Sequence, residues 1–257
     1  MSLGKLNVID HELLEFAKED FRTTEILINH RIYATSLYYL QQCFEKVVKS
    51  YYIFIMKNNE LNIQKLYEMT KDLGHDVNTS TIDLLIEVAN FEKDLFQKKR
   101  DITSELTPLA IDFFKKGEIL NEKIQGYINT LINLKNRDLD KEFIKNIKNY
   151  EYFVGNEHQK YVEKRKTVKG IKNDMSDYSY NFVAFSDTSI FLYPCLYKMN
   201  EVSRYPLKDF EFDNLNHLNN KRAVNLVKNM IRIMIDSYNW IRKNYDLTTV
   251  YSYKMHK

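Results

Sequence analysis

The chain predicts an all-α fold: an antiparallel up-and-down four-helix bundle core with additional inserted helices. Three observations carry this. Only 6 Gly and 3 Pro occur in 257 residues, too few for a turn-rich β fold or for glycine-rich phosphate loops. Apolar residues recur every three or four positions over long stretches. At 44% hydrophobic the chain can bury a real core, and 19 Tyr and 15 Phe imply that rings fill much of it.

The elements follow in order. Asp10 to Asn29 carries Leu14, Ala17, Phe21 and Ile28 at helical spacing. His30-Arg31-Ile32 is a tight joint, so the next helix, Tyr33 to Lys57, must run antiparallel to the first. Its apolar stripe is Ala34, Leu37, Phe44, Val47, Tyr51 and Ile55. A short segment, Ile63 to Met69, precedes a stop at Gly74. A third helix spans roughly Thr81 to Gln97. Thr107-Pro108 reads as the N-cap and first residue of a fourth that reaches Leu134. Asp138-Leu139-Asp140 opens another, with Phe143, Ile147 and Tyr150 on one face. From Gly155 to Ser179 the chain is polar and charge-rich and reads as a loop. Helix returns from Ser186 to Ser203, interrupted or started near Pro194, and a last helix runs from Asn214 to Tyr245.

Composition also limits function. A net charge of +3 is too mild for a dedicated nucleic-acid binder. Cys43 and Cys195 sit among apolar residues and read as buried free thiols of a reducing compartment. No apolar run approaches a membrane span and no signal-like start is present. A cytoplasmic protein without membrane contact is expected. The six His lack metal-ligand spacing, and no nucleophile–base order can be proposed, so neither a metal nor another cofactor is expected.

The stretch Gln41-Gln42-Cys43-Phe44-Glu45-Lys46-Val47-Val48-Lys49 sets polar residues in an otherwise apolar helix. Gln42, Lys46 and Lys49 share one face, and Gln41, Glu45 and Lys49 the adjoining one. Spacing alone leaves two readings: a solvated strip with a Glu45–Lys49 pair, or a polar pocket between helices. His75 beside Gly74 can rotate toward a ligand, with Asp76 to orient it, or can simply flank a capping Asp76. Arg204, before Tyr205-Pro206, either neutralises a helix end or faces an anion with its planar fork. The basic run Lys160, Lys164, Arg165, Lys166, Lys169 and Lys172 either contacts RNA phosphates or is solvated.

Ala17 and Asp20, then Ala34 and Gln41-Gln42-x-x-Glu45-Lys46-x-x-Lys49, resemble the helical hairpin of the HEPN superfamily. Gly74-His75-Asp76 is similar to the start of that family's third helix, and Arg204-Tyr205-Pro206 to the end of its fourth. The resemblance implies one elaborated domain over residues 1–257. Its core would be 9–78 and 186–245, with a helical insertion at 79–185. It further implies a homodimer, a nucleotide or RNA as partner, and association with a minimal nucleotidyltransferase.

Nuclease members of the family use an Arg and a His four to six residues apart. Here the nearest such pair, Arg22 and His30, is too widely spaced, and Lys71 before His75 lacks the guanidinium fork. The expectation is therefore a non-catalytic module that binds a nucleotide or another phosphate-bearing ligand through Gln41, Gln42, Glu45, Lys46, Lys49, His75, Arg204 and Tyr205. The alternatives are an RNase or toxin-like enzyme acting on RNA, or an interaction protein that uses the inserted helices.

Overall fold

The computed structural model describes residues 3–58, 77–101, 108–175, 177–199 and 217–253. Among these there are eight α-helices, one 3-10 turn and no strand. They are α1 (Leu3–Asn29), α2 (Tyr33–Asn58), α3 (Val77–Asp101), α4 (Pro108–Lys135), α5 (Leu139–Ile147), α6 (Tyr150–Gly170), α7 (Asp177–Leu196) and α8 (Lys221–Tyr253). The 3-10 turn is Lys172–Asp174. The all-α bundle is what the periodicity and the glycine scarcity require.

The joint between α1 and α2 is closed by backbone chemistry. Arg31 adopts a left-handed conformation, φ 62°. Ile32 N–H donates to the Leu27 carbonyl at 2.9 Å and Arg31 N–H to the Ile28 carbonyl at 3.0 Å. This paired pattern ends a helix with a sharp reversal, and glycine usually occupies the left-handed position. With only 6 Gly in the chain, an arginine does so here.

Side-chain pairings give the helix directions. Glu25 pairs with Arg232 at 2.9 Å and Asp10 with Arg242 at 3.1 Å, so α1 and α8 are antiparallel. Phe185 and Ser189 of α7 meet Tyr238 and Met234 of α8, again antiparallel. Helices α1, α2, α7 and α8 thus alternate in direction. The pair α3–α4 packs against α2 and α7, and α6 against α7 and α8.

At the centre, Tyr51 of α2 stacks on Phe185 of α7, centroids 4.3 Å apart, and meets Tyr238 of α8 edge-on at 5.3 Å. Ser50 Oγ donates to the Asp10 carbonyl at 2.6 Å and lies 2.9 Å from the Tyr238 hydroxyl. One hydroxyl carries one proton, so Tyr238 is the donor to Ser50. Asp10, Ser50 and Tyr238 are all fully buried, and every polar atom named in this chain has a partner.

Three expectations are corrected. The segment 155–179 is not a loop: α6 runs from Tyr150 to Gly170. Its buried residues Val154, Tyr161 and Val168 recur every seventh position, a seam too narrow to stand out among charged neighbours. Those neighbours, Lys, Glu and Gln, are good helix formers. Helix α7 begins at Asp177, nine residues before Ser186, and Pro194 lies inside its last turns instead of starting it. It is buried almost all round, so it shows no amphipathic signal. The last helix begins at Lys221, after a side-chain cap. Asn220 Oδ1 accepts from the backbone N–H of Arg222 (2.9 Å) and Ala223 (3.1 Å). Helix α1 starts at Leu3, seven residues before Asp10, and elsewhere the boundaries shift little. Asp138 caps α5 by accepting from Lys141 N–H at 3.0 Å, and Tyr150 belongs to α6.

Arg31→Gly should stabilise the protein by about 0.5–1 kcal/mol, since the left-handed strain removed exceeds glycine's entropy cost. A thermal melt should then shift up by about 1–4 °C.

Candidate functional site

The polar stretch of α2 points in two directions. On one side Lys46 reaches α1 and pairs with Asp20 at 2.5 Å. Asp20 is half-buried, and desolvation raises its carboxyl above the ordinary range even with Lys46 beside it. On the other side Gln41 and Glu45 are buried, and Gln41 Nε2 donates to Glu45 Oε1 at 3.1 Å. Helical spacing of four residues makes that bond possible.

Burial pushes the Glu45 carboxyl up to about 7, against the pull of Lys49, Gln41 and Lys46. Lys49, half-buried beside it, is lowered by the same desolvation, with Glu45 opposing. Glu45 is therefore about half-ionised at neutral pH. Asp20 is set against Lys46, and Glu45 faces Lys49. Gln42 is half-buried between the two sides.

The structure thus brings Gln41, Glu45, Lys46 and Lys49 into one strip with Asp20. His75, Arg204 and Tyr205 lie outside the described residues, as does the segment Ile63 to Met69. Next to Gln41 and Glu45, the gap bounded by Thr81, Tyr193 and Tyr197 has a volume of about 10 Å³. That is room for about one water.

Other candidates resolve differently. Cys43 and Cys195 are free and buried, and burial drives both thiols far up, away from thiolate chemistry. The basic run lies on α6, with Lys172 in the 3-10 turn after it, and four of its six residues are engaged. Lys160 pairs with Glu157 at 2.6 Å and Lys164 with Asp187 at 2.5 Å. Arg165 and Lys172 both lie over the Tyr180 ring, at 4.9 and 4.7 Å. Among the described residues no group of three His, Cys, Asp or Glu is placed to hold a metal ion. No described helix is long and apolar enough to cross a membrane.

The sequence reading misses Asp187, a buried carboxylate in the middle of α7. The available signal is the same as at Glu45, a charged residue among apolar ones. Placing the helix start at Ser186 disguises it, because Ser-Asp there reads as an ordinary cap.

Residues 11–117 match the HEPN domain family. Over these residues the chain is similar to the HEPN superfamily. That family has RNase and nucleotide-related roles. No curated protein and no solved structure matches the chain. The HEPN match takes in α1, α2, α3 and the start of α4, and so contains Asp20, Gln41, Gln42, Glu45, Lys46, Lys49 and His75. It continues past residue 79, where the expected insertion begins. Arg204, Tyr205 and Asp187 lie beyond it.

The raised Glu45 carboxyl sets a pH dependence of stability. Its folded value, about 7, lies above the ordinary value of 4.5, so the folded state holds the proton more tightly. Its contribution is present below pH 4.5 and is lost as pH rises through 7. Denaturant titrations at pH 5 and pH 7.5 should show wild-type losing on the order of 3 kcal/mol relative to Glu45→Gln, which cannot ionise. Equal slopes in the two proteins would place Glu45 in water.

Proposed function

We propose that this protein is a non-catalytic HEPN-like module that binds a nucleotide or another phosphate-bearing ligand at the α1–α2 polar strip. The observation that carries this reading is a pair of half-buried lysines beside a carboxyl held near neutrality. Lys46 and Lys49 are half-buried, and burial pushes the neighbouring Glu45 carboxyl up to about 7. A phosphate group would add negative charge beside these lysines and drive Glu45 to its neutral form. Lys46 would contribute from its pair with Asp20, and Gln42 would offer its amide to a base or sugar edge. His75, Arg204 and Tyr205 are further contacts in the same proposal. So are a homodimeric state and association with a nucleotidyltransferase.

The RNase alternative is less favoured, because the sequence has no Arg–His pair at the spacing that HEPN nucleases use. An activity assay on single-stranded RNA would show no cleavage under this reading.

Isothermal titration with AMP, ATP and inorganic phosphate tests the proposal. Binding should weaken at least tenfold in Lys49→Met, the loss of about 1.4 kcal/mol or more expected for a charge-assisted contact. Because bound phosphate disfavours ionised Glu45, affinity should fall as pH rises from 6 to 8, and fall less in Glu45→Gln. The ligand's own titration is common to both proteins, so the difference isolates Glu45. Absence of heat with all three ligands, or unchanged affinity in Lys49→Met, would refute the assignment.

A further inference from the structure

A second cavity, of about 390 Å³, lies between α4, α6 and α7. This is within the size range of small-molecule sites. Its inner wall is the middle of α7, where Asp187 is 3% exposed. Asp187 Oδ1 is 2.5 Å from Lys164 Nζ, but Oδ2 is buried and meets no donor. Ser186, also 3% exposed, lines the same cavity, and its Oγ makes no hydrogen bond of normal length although the Tyr127 hydroxyl stands near it. Buried polar atoms in native proteins have partners, so two adjacent ones without any call for a group from outside the chain.

The surroundings restrict what that group can be. Glu122 and Asp187 balance Lys123 and Lys164 around the cavity, so the lining carries no net charge. Tyr127 and Phe182, edge-to-face with centroids 6.4 Å apart, form an aromatic wall. Asp187 Oδ2 requires a donor, whereas Lys123 offers donors only and Ser186 can do either. A neutral molecule with donors and acceptors on adjacent atoms meets all of these, and vicinal hydroxyl groups have that pattern.

We propose that this cavity binds a small, uncharged polyol of sugar size. One hydroxyl donates to Asp187 Oδ2 and its neighbour accepts from Lys123. The C–H face lies against Tyr127 and Phe182. All of the lining residues lie outside the HEPN match, and none belongs to the α1–α2 strip.

Saturation-transfer NMR and isothermal titration on the full chain test this, with D-glucose, D-ribose and myo-inositol as probes. Per-O-methylated glucose is the control, since it keeps its oxygens and loses every donor. At least one free polyol should show transfer, and the methylated sugar none. Affinity should fall at least tenfold in Asp187→Ala and in Lys123→Met, with helical circular dichroism unchanged. If Asp187→Ala fails to fold, Lys123→Met decides alone, because Lys123 is only half-buried. No transfer from any of the three polyols, equal transfer to the methylated sugar, or unchanged affinity in Lys123→Met would overturn the assignment.

Discussion

The contact on which the rest of the molecule depends is the buried hydrogen-bond chain Tyr238–Ser50–Asp10, completed by Arg242. It joins three helices, α1, α2 and α8, drawn from opposite ends of the chain. Around it Tyr51, Phe185 and Tyr238 stack into one aromatic centre. Because Asp10 is fully buried, its ion pair with Arg242 cannot be loosened cheaply: a carboxylate inside the core loses a charge partner when Arg242 is removed. That condition fixes the register of α8 against α1 and α2. It thereby fixes where α7, sandwiched between α2 and α8, must lie.

Both polar features of the molecule follow from that arrangement. Helix α2 turns Gln41 and Glu45 into the seam with α3 and α7 because its opposite face is committed to α1. Desolvation then does the chemistry, lifting the Glu45 carboxyl toward neutrality and lowering Lys49 beside it. Helix α7 is enclosed on nearly every side, and Asp187 lines the cavity beside α4 and α6. Burial raises its carboxyl above the ordinary range, with Lys164, Arg165 and Lys123 opposing. In both places a single carboxylate in a dry seam sets the electrostatics.

The legible part of the fold was the part where one face is wet and the other dry. Helices α1, α2, α4 and α5 show their apolar stripes at 3.6-residue spacing, and their expected limits fall within a few residues of the observed ones, except that α1 starts seven residues earlier. Helix α6 was hidden because only Val154, Tyr161 and Val168 mark its buried seam, and α7 because it has no wet face at all. At the site, the Gln41–Lys49 stretch was visible as a polar break in an apolar helix. Which of its residues would be buried was not, because that depends on α3 and α7, which come from distant segments. Asp187 was missed for the same reason: a helix start and a helix middle look alike until the preceding turn is known to be helical.

Native-state hydrogen exchange tests most directly whether residues from both ends of the chain share one core. The account predicts that backbone amides of Val47 to Tyr52 in α2 and of Val227 to Ile235 in α8 open with the same free energy. They should also lose protection together when Tyr238→Phe removes the donor to Ser50. If α8 exchanged at a distinctly lower free energy, with α2 unaffected by Tyr238→Phe, the buried chain would not be what holds the two ends together.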